Sequence, residues 1–247
     1  MAIQGNAKTD LEKLVAEHWS HAVCPQTQER WNRRLRMKVM LWRGSLRCSM
    51  LLKRTVDVIG SAGALLVFFP VLAVVAVLIK LEDGGTIFFR QNRVGKDGKM
   101  FKMFKIRSMH LNAEARKVQL SRHNQHVRST TFKMKNDPRI TRLGRWIRQY
   151  SVDEIPQFWN VLKGDMTLVG PRPAVPGEVV EYRARELRRL VVKPGITGLW
   201  QIGGRGDIDF EGQVRLDLEY IRSEGFWANL RILLLTVPAV LLGRGAY

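Results

Sequence analysis

Two adjacent carboxylates, Asp153 and Glu154, lie just ahead of a proline in the segment from Ser151 to Pro173. Apolar residues recur after Pro156 with helical spacing, and proline is tolerated in a helix only in the first turn. With Asp153 as the N-cap, both carboxylates would lie at a helix N-terminus, where the helix dipole favours their ionised forms. The spacing therefore predicts a pair of ionised carboxylates.

The same residues also fit a purely structural role. Ser151 and Glu154 match the S-x-x-E capping box, in which an acid only caps the helix. Further along, Gly170-Pro171-Arg172-Pro173 forms a rigid loop that presents one Arg. A carboxylate pair that faces a fixed Arg suits a magnesium-bound phosphate ester. Spacing alone leaves the capping role and the catalytic role both open.

Three ordered motifs carry a resemblance to a known family. They are Asp-Glu-Ile-Pro-Gln at 153–157, Asn-Val-Leu-Lys-Gly-Asp-Met at 160–166 and Val-Gly-Pro-Arg-Pro at 169–173. Together they resemble the bacterial sugar transferase family, the monotopic polyprenyl-phosphate phosphoglycosyl transferases that start exopolysaccharide or O-antigen repeats. The resemblance runs from about residue 51 to residue 247 and does not reach the N-terminal residues.

The resemblance implies a role for each candidate site residue. Asp153 would be the nucleophile and Glu154 would hold Mg²⁺, with Asp153 as a second ligand. The cations that would bind phosphate oxygens are Lys105, Arg107, Arg148, Arg172 and Arg205. Lys105 and Arg107 are two apart on a predicted strand, so they would share one face and could hold one diphosphate. By spacing alone, a solvated edge strand explains the same two cations.

Composition adds a constraint on the partners. The chain has 247 residues, with 41 Lys and Arg against 22 Asp and Glu, a formal net charge of +19. Such a charge implies an anionic partner, which could be nucleic acid, anionic lipid or a phosphorylated substrate. The two cysteines, Cys24 and Cys48, form no metal-ligand cluster and no disulfide framework, which fits a reducing compartment. We expect no cleavable signal peptide.

One apolar run predicts a membrane segment. Residues 58–79 contain no charge, and about 20 apolar residues cross a bilayer as a helix. Pro70 lies near the middle and predicts a bend. Both flanks are basic, and the positive-inside rule then favours a helix that enters and leaves by the cytoplasmic face. Long domains can translocate regardless of charge, so a straight span stays open by sequence alone. The resembled family has such a re-entrant helix, usually with a small polar residue where this chain has Phe69.

Two further segments have the composition of helices that can lie at a membrane surface. Residues 31–52 form a basic helix with one apolar face, which could lie on an anionic membrane or pack on the domain as an ordinary surface helix. Spacing does not decide between these two. Residues 226–242 are apolar apart from Asn229 and Arg231. The uninterrupted part, 232–242, is too short to span a membrane and contains Pro238, so we expect an interfacial helix.

The expected architecture is α+β, predominantly helical with a small β-hairpin, in a monotopic membrane protein. Asp97-Gly98 would turn the hairpin between strands at 86–94 and 100–106. Helices are expected at 140–150 and, as a solvated charged segment, at 178–190. The domains would be a basic extension (1–50), a re-entrant helix (51–81), a cytoplasmic catalytic domain (82–225) and an interfacial segment (226–247).

The function that the resemblance implies is transfer of a sugar 1-phosphate from a nucleotide diphosphate sugar, of the UDP-hexose type, to polyprenyl phosphate. The expected cofactor is Mg²⁺, and the expected place is the cytoplasmic face of a bacterial inner membrane. A homo-oligomer stays open, and no nucleic acid is expected. The alternative is a basic membrane-attached scaffold or nucleic-acid binder, which would release no nucleoside monophosphate. Sugar transfer without its phosphate would release the nucleoside diphosphate instead.

Overall fold

The computed structural model describes residues 25–111, 137–204 and 208–241, together with residues 13 and 113. The chain divides into two compact units, residues 1–51 and residues 52–247. One helix, α1 (Pro25–Asp83), has residues in both units. The segments that the sequence divides into a basic helix and a membrane helix are therefore parts of one helical element.

The predicted β-hairpin is confirmed. Strands β1 (Phe88–Val94) and β2 (Met100–Ile106) pair antiparallel, with Phe89 opposite Lys105 and Val94 opposite Met100. Asp97 has the left-handed backbone conformation (φ 55°) that tight hairpin turns require and that Asp tolerates. The hairpin is decisive for the site because β2 carries Lys105.

The rest of the second unit is mostly helical. The helices, in chain order, are α2 (Arg142–Gln149), α3 (Gln157–Lys163), α4 (Pro176–Val180), α5 (Ala184–Leu187), α6 (Leu199–Gly203), α7 (Phe210–Ser223) and α8 (Phe226–Leu241). Short 3₁₀ turns lie at Lys96–Gly98, Val152–Glu154 and Arg188–Val191. Helix α2 confirms the helix expected at 140–150, and α8 confirms the helical character of 226–242.

The single solvated helix expected at 178–190 is wrong. The chain there forms α4, α5 and a 3₁₀ turn instead. The charges that alternate in the sequence serve as caps and as core groups: Glu186 accepts the backbone N–H of Arg183 at 2.7 Å, which starts a new helix, and Arg189 is buried against Asp217. Charge alternation therefore did not indicate a solvated face here.

A second sheet was missing from the sequence analysis. Strands β3 (Thr167–Val169) and β4 (Gly195–Thr197) pair in parallel. A Cβ at residue 195 would lie 2.0 Å from the backbone nitrogen of Gly170, so only glycine fits there. The glycine-rich segment after Lys193 thus packs against the backbone that leads into Pro171-Arg172-Pro173.

Two apolar clusters form the core, and β2 contributes to both. Ile106 packs with Val75 and Ile79 of α1 and with Ile147 of α2. Met103 packs in the other cluster, which includes Val161, Met166, Leu168, Val169, Tyr220 and Ile232. Since Val152 and Ile155 belong to the first cluster, the backbone on both sides of Asp153 and Glu154 is anchored in the core.

The membrane-type segment is the C-terminal part of α1. Within the described residues, Cys48–Asp83 is the one helix long and apolar enough to cross a membrane, by length and composition only. Many of its apolar side chains are exposed; Leu66 is 77% exposed. The helix continues through Pro70. The re-entrant path and the bend angle stay predictions.

Candidate active site

Helix α2 is fixed to the end of β2 before the chain reaches the carboxylates. The Thr141 side chain accepts the backbone N–H of Gly144 at 2.8 Å, which caps the helix, and the Thr141 N–H donates to the Ser108 carbonyl. A Cβ at residue 144 would lie 2.0 Å from that carbonyl oxygen. Glycine at this position therefore lets α2 pack directly on the backbone after β2.

The carboxylates precede the helix rather than capping it. Ser151 has a left-handed backbone (φ 54°, ψ 25°) and makes no side-chain cap, so the N-cap assignment of Asp153 and the Ser151–Glu154 capping box are both wrong. Asp153 and Glu154 lie in the 3₁₀ turn Val152–Glu154, and α3 begins after Pro156. A non-glycine residue with positive φ is uncommon, and Ser151 makes the reversal that turns the chain back toward β2.

Lys105 contacts both carboxylates. Its Nζ lies 3.2 Å from Oδ2 of Asp153 and 3.0 Å from Oε1 of Glu154. The Asp153 side chain is 10% exposed, whereas that of Glu154 is 39% exposed. The two acids are thus unequal: one is enclosed by the protein, and the other reaches solvent.

The electrostatics of the three groups are coupled. Burial raises the pKa of the Asp153 carboxyl above its usual range, and the Glu154 charge adds to that rise, while Lys105 and Arg148 oppose it. Burial alone would lower the pKa of the Lys105 ammonium, but the charges of Asp153 and Glu154 outweigh burial and raise the Lys105 pKa. Lys105 therefore stays protonated and favours the ionised form of Asp153.

Arg148 is a second cation whose charge acts on Asp153. Its Nε donates to the Ser108 hydroxyl at 2.9 Å. Burial lowers the Arg148 pKa, which the charge of Asp153 partly offsets. An arginine pKa far above neutrality leaves the guanidinium charged in this setting. The structure thus places Arg148 near Asp153, as the sequence analysis anticipated.

Arg107 is placed elsewhere. Strand β2 ends at Ile106, and the Arg107 guanidinium is bidentate to Asp83 at the end of α1, with Nη1 2.6 Å from Oδ2. Its Nε also donates to the Thr86 carbonyl at 2.6 Å. These bonds tie Arg107 to the start of the hairpin rather than to the carboxylates. A phosphate-binding role for it stays a prediction.

Arg172 lies on a loop whose backbone is held from two sides. Its N–H donates to the buried Asp217 carboxylate, which also accepts from Arg189 Nε at 2.8 Å. Burial raises the pKa of Asp217 to about 6. Arg93 donates to the Pro173 carbonyl at 2.8 Å, and its pKa falls to about 10 because it is buried and faces Arg172. Arg205 lies outside the described residues.

Sequence reasoning missed three residues that build this site: Arg93, Asn160 and Asp217. Asn160 is fully buried, and its Oδ1 accepts the N–H of Phe104 at 3.0 Å. Its Nδ2 donates to the Lys102 carbonyl at 2.8 Å. Asn160 therefore joins α3 to the backbone just before Lys105. The sequence did contain one indication of this role: Asn160 lies between two apolar residues in a predicted helix, and a buried amide needs hydrogen-bond partners.

We expect Asn160→Ala to destabilise the second unit. The change removes the partner of two partly buried backbone groups, the Phe104 N–H and the Lys102 carbonyl, at a cost of about 2–3 kcal/mol. The unfolding temperature of the purified protein should fall by roughly 5–10 °C. Asn92→Ala, at an exposed hairpin position, is the matched control. A thermal midpoint equal to that of the control would show that Asn160 does not hold the two elements together.

Helix α1 is bonded to the same framework near its apolar run. Arg54 donates to the carbonyls of Val161 and Leu162 at 2.6 and 2.7 Å, which satisfies the C-terminal end of α3. Asp57 accepts from the Thr167 hydroxyl at 2.8 Å and from the Leu168 N–H at 2.9 Å. The helix that carries the membrane-type segment is thereby coupled to both elements that follow the carboxylates.

The residues present fit a magnesium ion held jointly with substrate. Within the part of the chain that the structure describes, no group of three or more His, Cys, Asp or Glu side chains could form a cage. Mg²⁺ in phosphate chemistry is commonly held by one or two carboxylates plus phosphate oxygens and water. Glu154, the more exposed acid, fits this role with Asp153 beside it.

Comparison with known proteins defines the class. The model of the bacterial sugar transferase family matches residues 48–243, which includes every site element described above. The chain belongs to the bacterial sugar transferase family. The resemblance drawn from the three motifs is confirmed.

Similarity to individual proteins supports the family assignment. The chain is 48% identical over 198 residues to the galactosyl transferase CpsE of Streptococcus agalactiae, covering 80% of this chain and 44% of that protein. It is 42% identical over 204 residues to the undecaprenyl-phosphate galactose phosphotransferase of Salmonella typhimurium, covering 81% and 43%. It is 38% identical over 198 residues to the exopolysaccharide production protein ExoY of Rhizobium meliloti, covering 79% and 88%. The chain thus spans less than half the length of the first two relatives.

Proposed function

We propose that the protein is a membrane-bound phosphoglycosyl transferase that moves a sugar 1-phosphate from a UDP-hexose to undecaprenyl phosphate and releases UMP. The reaction would be the first step of surface polysaccharide assembly. The observation that carries the proposal is the convergence of a buried carboxylate, a second and more exposed carboxylate, and the Lys105 ammonium within 3.2 Å of both. A scaffold or nucleic-acid binder gives no reason for a buried acid that pairs with a lysine beside a second acid.

In the first step, an Asp153 carboxylate oxygen attacks the phosphorus that carries the sugar. The bond between that phosphorus and the bridging oxygen breaks, and the nucleoside monophosphate leaves with the electron pair. The product is an acyl phosphate between Asp153 and the phosphosugar. Covalent catalysis of this kind divides one difficult displacement into two easier ones.

In the second step, a phosphate oxygen of the polyprenyl phosphate attacks the same phosphorus. The bond to Asp153 breaks and returns the carboxylate, and the product is a polyprenyl diphosphate sugar. No proton is consumed overall, so the site needs cations rather than a general base. Lys105 and Arg148 supply fixed positive charge beside Asp153, and the Arg172 loop is anchored to present its guanidinium.

Mg²⁺, when bound, would neutralise charge on the diphosphate of the sugar donor. Glu154 and Asp153 would hold it. Lys105 would remain beside Asp153, where its charge opposes the effect of burial and favours the ionised carboxylate that attacks.

The substrates follow from the relatives. Their names include UDP-galactose-lipid carrier transferase in Erwinia amylovora and UDP-glucose:undecaprenyl-phosphate glucose-1-phosphate transferase in Escherichia coli. Both name a UDP-hexose, and the second names the lipid phosphate as acceptor. The choice between galactose and glucose is left to the experiment below.

A re-entrant membrane helix suits these substrates, because the lipid tail stays in the bilayer while its phosphate reaches a cytoplasmic site. Two contacts support it: Asp57 before the apolar run accepts from the Thr167 hydroxyl, and Asp83 after the run accepts from Arg107. The side chains of Leu66, Val67 and Phe69 between them are exposed. Burial of that stretch in lipid would explain its apolar surface.

We expect both sides of the apolar run to be cytoplasmic. In a background with Cys24→Ser and Cys48→Ser, cysteines placed at residue 30 and at residue 97 should resist an impermeant thiol reagent in intact cells. Both should label once the cells are permeabilised, because both basic flanks stay inside. Labelling of only one of them in intact cells would establish a true span.

The nucleotide released decides the function. Purified protein in detergent with Mg²⁺ and undecaprenyl phosphate is incubated with a panel of UDP-sugars, and the nucleotide product is identified by chromatography. Release of UMP is expected with one UDP-hexose. Release of UDP would indicate sugar transfer without its phosphate, and no release with any donor would favour a non-catalytic protein.

A further inference from the structure

The first part of α1 is a basic segment that is additional to the family's shared part, since the family match begins at residue 48. Between residues 30 and 52 the sequence contains no Asp or Glu. Seven cations lie in this stretch: Arg30, Arg33, Arg34, Arg36, Lys38, Arg43 and Arg47. A run of like charge this dense calls for an anionic partner.

The same segment leaves its large apolar side chains uncovered. Trp31 is 64% exposed and Leu41 is 65% exposed. Between residues 30 and 41 the exposed apolar side chains are Trp31, Leu35, Met37, Val39, Met40 and Leu41. An ordinary surface helix packs such residues on a domain core, and contiguous exposed apolar surface on a soluble protein marks an interaction site.

One face of the helix is apolar and has cations on both of its borders, which suits a lipid surface. Trp31, Leu35 and Val39 are four residues apart and share one face. At about 100° per residue, Arg36 lies to one side of Leu35 and Arg34 to the other. Long cationic side chains on both borders can extend to phosphates while their methylene stems cover apolar surface.

We propose that residues 30–47 of α1 bind an anionic phospholipid surface, with the Trp31–Leu35–Val39 face in the headgroup region and the flanking cations on lipid phosphates. This rests on the membrane location in the proposed function. Arg47 precedes the uncharged run by only ten residues, so a membrane-bound protein holds the segment near the bilayer at high effective concentration. Nucleic acid would leave the apolar face uncovered, and a second copy would bring two sets of like charges together.

The test uses the full chain in nanodiscs of phosphatidylcholine alone or with phosphatidylglycerol. Leu35→Cys, in the Cys24→Ser and Cys48→Ser background, carries an environment-sensitive fluorophore. We expect a blue-shifted emission, quenched by spin-labelled lipid, in phosphatidylglycerol discs only. Salt at about 0.5 M should reverse much of it, because exposed charges are then strongly screened.

Charge variants test whether binding depends on the positive charge of the segment, because one set reverses the charge and the other keeps it. Each cation removed should lower the surface association constant by about fivefold. The triple variant Arg33→Glu, Arg34→Glu, Arg36→Glu should therefore lose the signal, and the matched variant Arg33→Lys, Arg34→Lys, Arg36→Lys should keep it. Both variants should retain the same helical circular dichroism.

Three results would overturn the inference. The first two are an equal emission shift in discs without phosphatidylglycerol and an unchanged emission shift in the glutamate variant. The third is an emission shift that depends on protein concentration and is not quenched by labelled lipid, which would indicate a second copy. UMP release is measured on the same discs. Transfer without probe burial rejects this inference and leaves the proposed function intact. Probe burial without transfer for any UDP-sugar rejects the proposed function alone.

Discussion

Asp153→Asn is expected to abolish both turnover and covalent labelling. The substitution is nearly isosteric but removes the carboxylate that the mechanism uses as nucleophile, and loss of a nucleophile costs kcat about a thousandfold or more. With labelled UDP-sugar and no lipid acceptor, the wild type should retain a phosphosugar label on the protein. Asp153→Asn should retain none.

Two variants make this result specific. Glu154→Gln keeps the nucleophile but weakens the more exposed acid assigned to Mg²⁺, so it should label slowly and respond to a higher Mg²⁺ concentration. Asp97→Asn is the matched control, because it makes the same chemical change in the hairpin turn, where Asn tolerates the left-handed backbone as well as Asp does. Normal labelling by Asp153→Asn would show that the nucleophile is another group.

Lys105→Met is expected to lower kcat/KM by about a hundredfold or more at neutral pH, because it removes the cation that contacts both carboxylates. It should also move the pH dependence. Burial and Glu154 raise the Asp153 pKa and Lys105 lowers it, so loss of Lys105 raises that pKa further. The active form is the ionised one, so the acidic limb of the pH profile should shift to higher pH and activity should partly recover as pH rises.

The pH profile separates this role from a structural one. Lys102→Met, an exposed position on the same strand, should leave the profile unchanged. A variant that is merely misfolded would lose activity at every pH with no shift of the limb. An unshifted acidic limb in Lys105→Met would show that Lys105 does not control the ionisation of Asp153.

Local patterns in the sequence were sufficient to predict several structural elements. The Asp-Gly hairpin, the helix before Asp153 and the apolar run of α1 each depend on residues that are neighbours or lie within a few turns. The three motifs also indicated the family. These features follow from short-range sterics, turn chemistry and hydrophobic periodicity, which one chain segment carries by itself.

The pairing of side chains was decided only in three dimensions. Lys105 and Arg107 have the same charge and are two residues apart, yet one contacts the carboxylates at 153 and 154 and the other is bound by Asp83. The strand ends between them, at Ile106, so their directions no longer follow the strand alternation that the sequence predicted. Spacing cannot show where a strand ends to within a residue.

The buried hydrogen bonds that support the site could not be predicted from local patterns either. Asn160 bonds to the backbone of a strand 56 residues earlier, and Arg189 and Asp217 form a buried pair 28 residues apart that holds the Arg172 loop. A buried polar group must find a partner, but the chain offers many candidates, and only the packing of the two core clusters selects one. The sequence by itself determined which residues could do the chemistry and which segment could enter a membrane. The tertiary structure decided which cation faces Asp153, because that choice depends on contacts between segments that are distant along the chain.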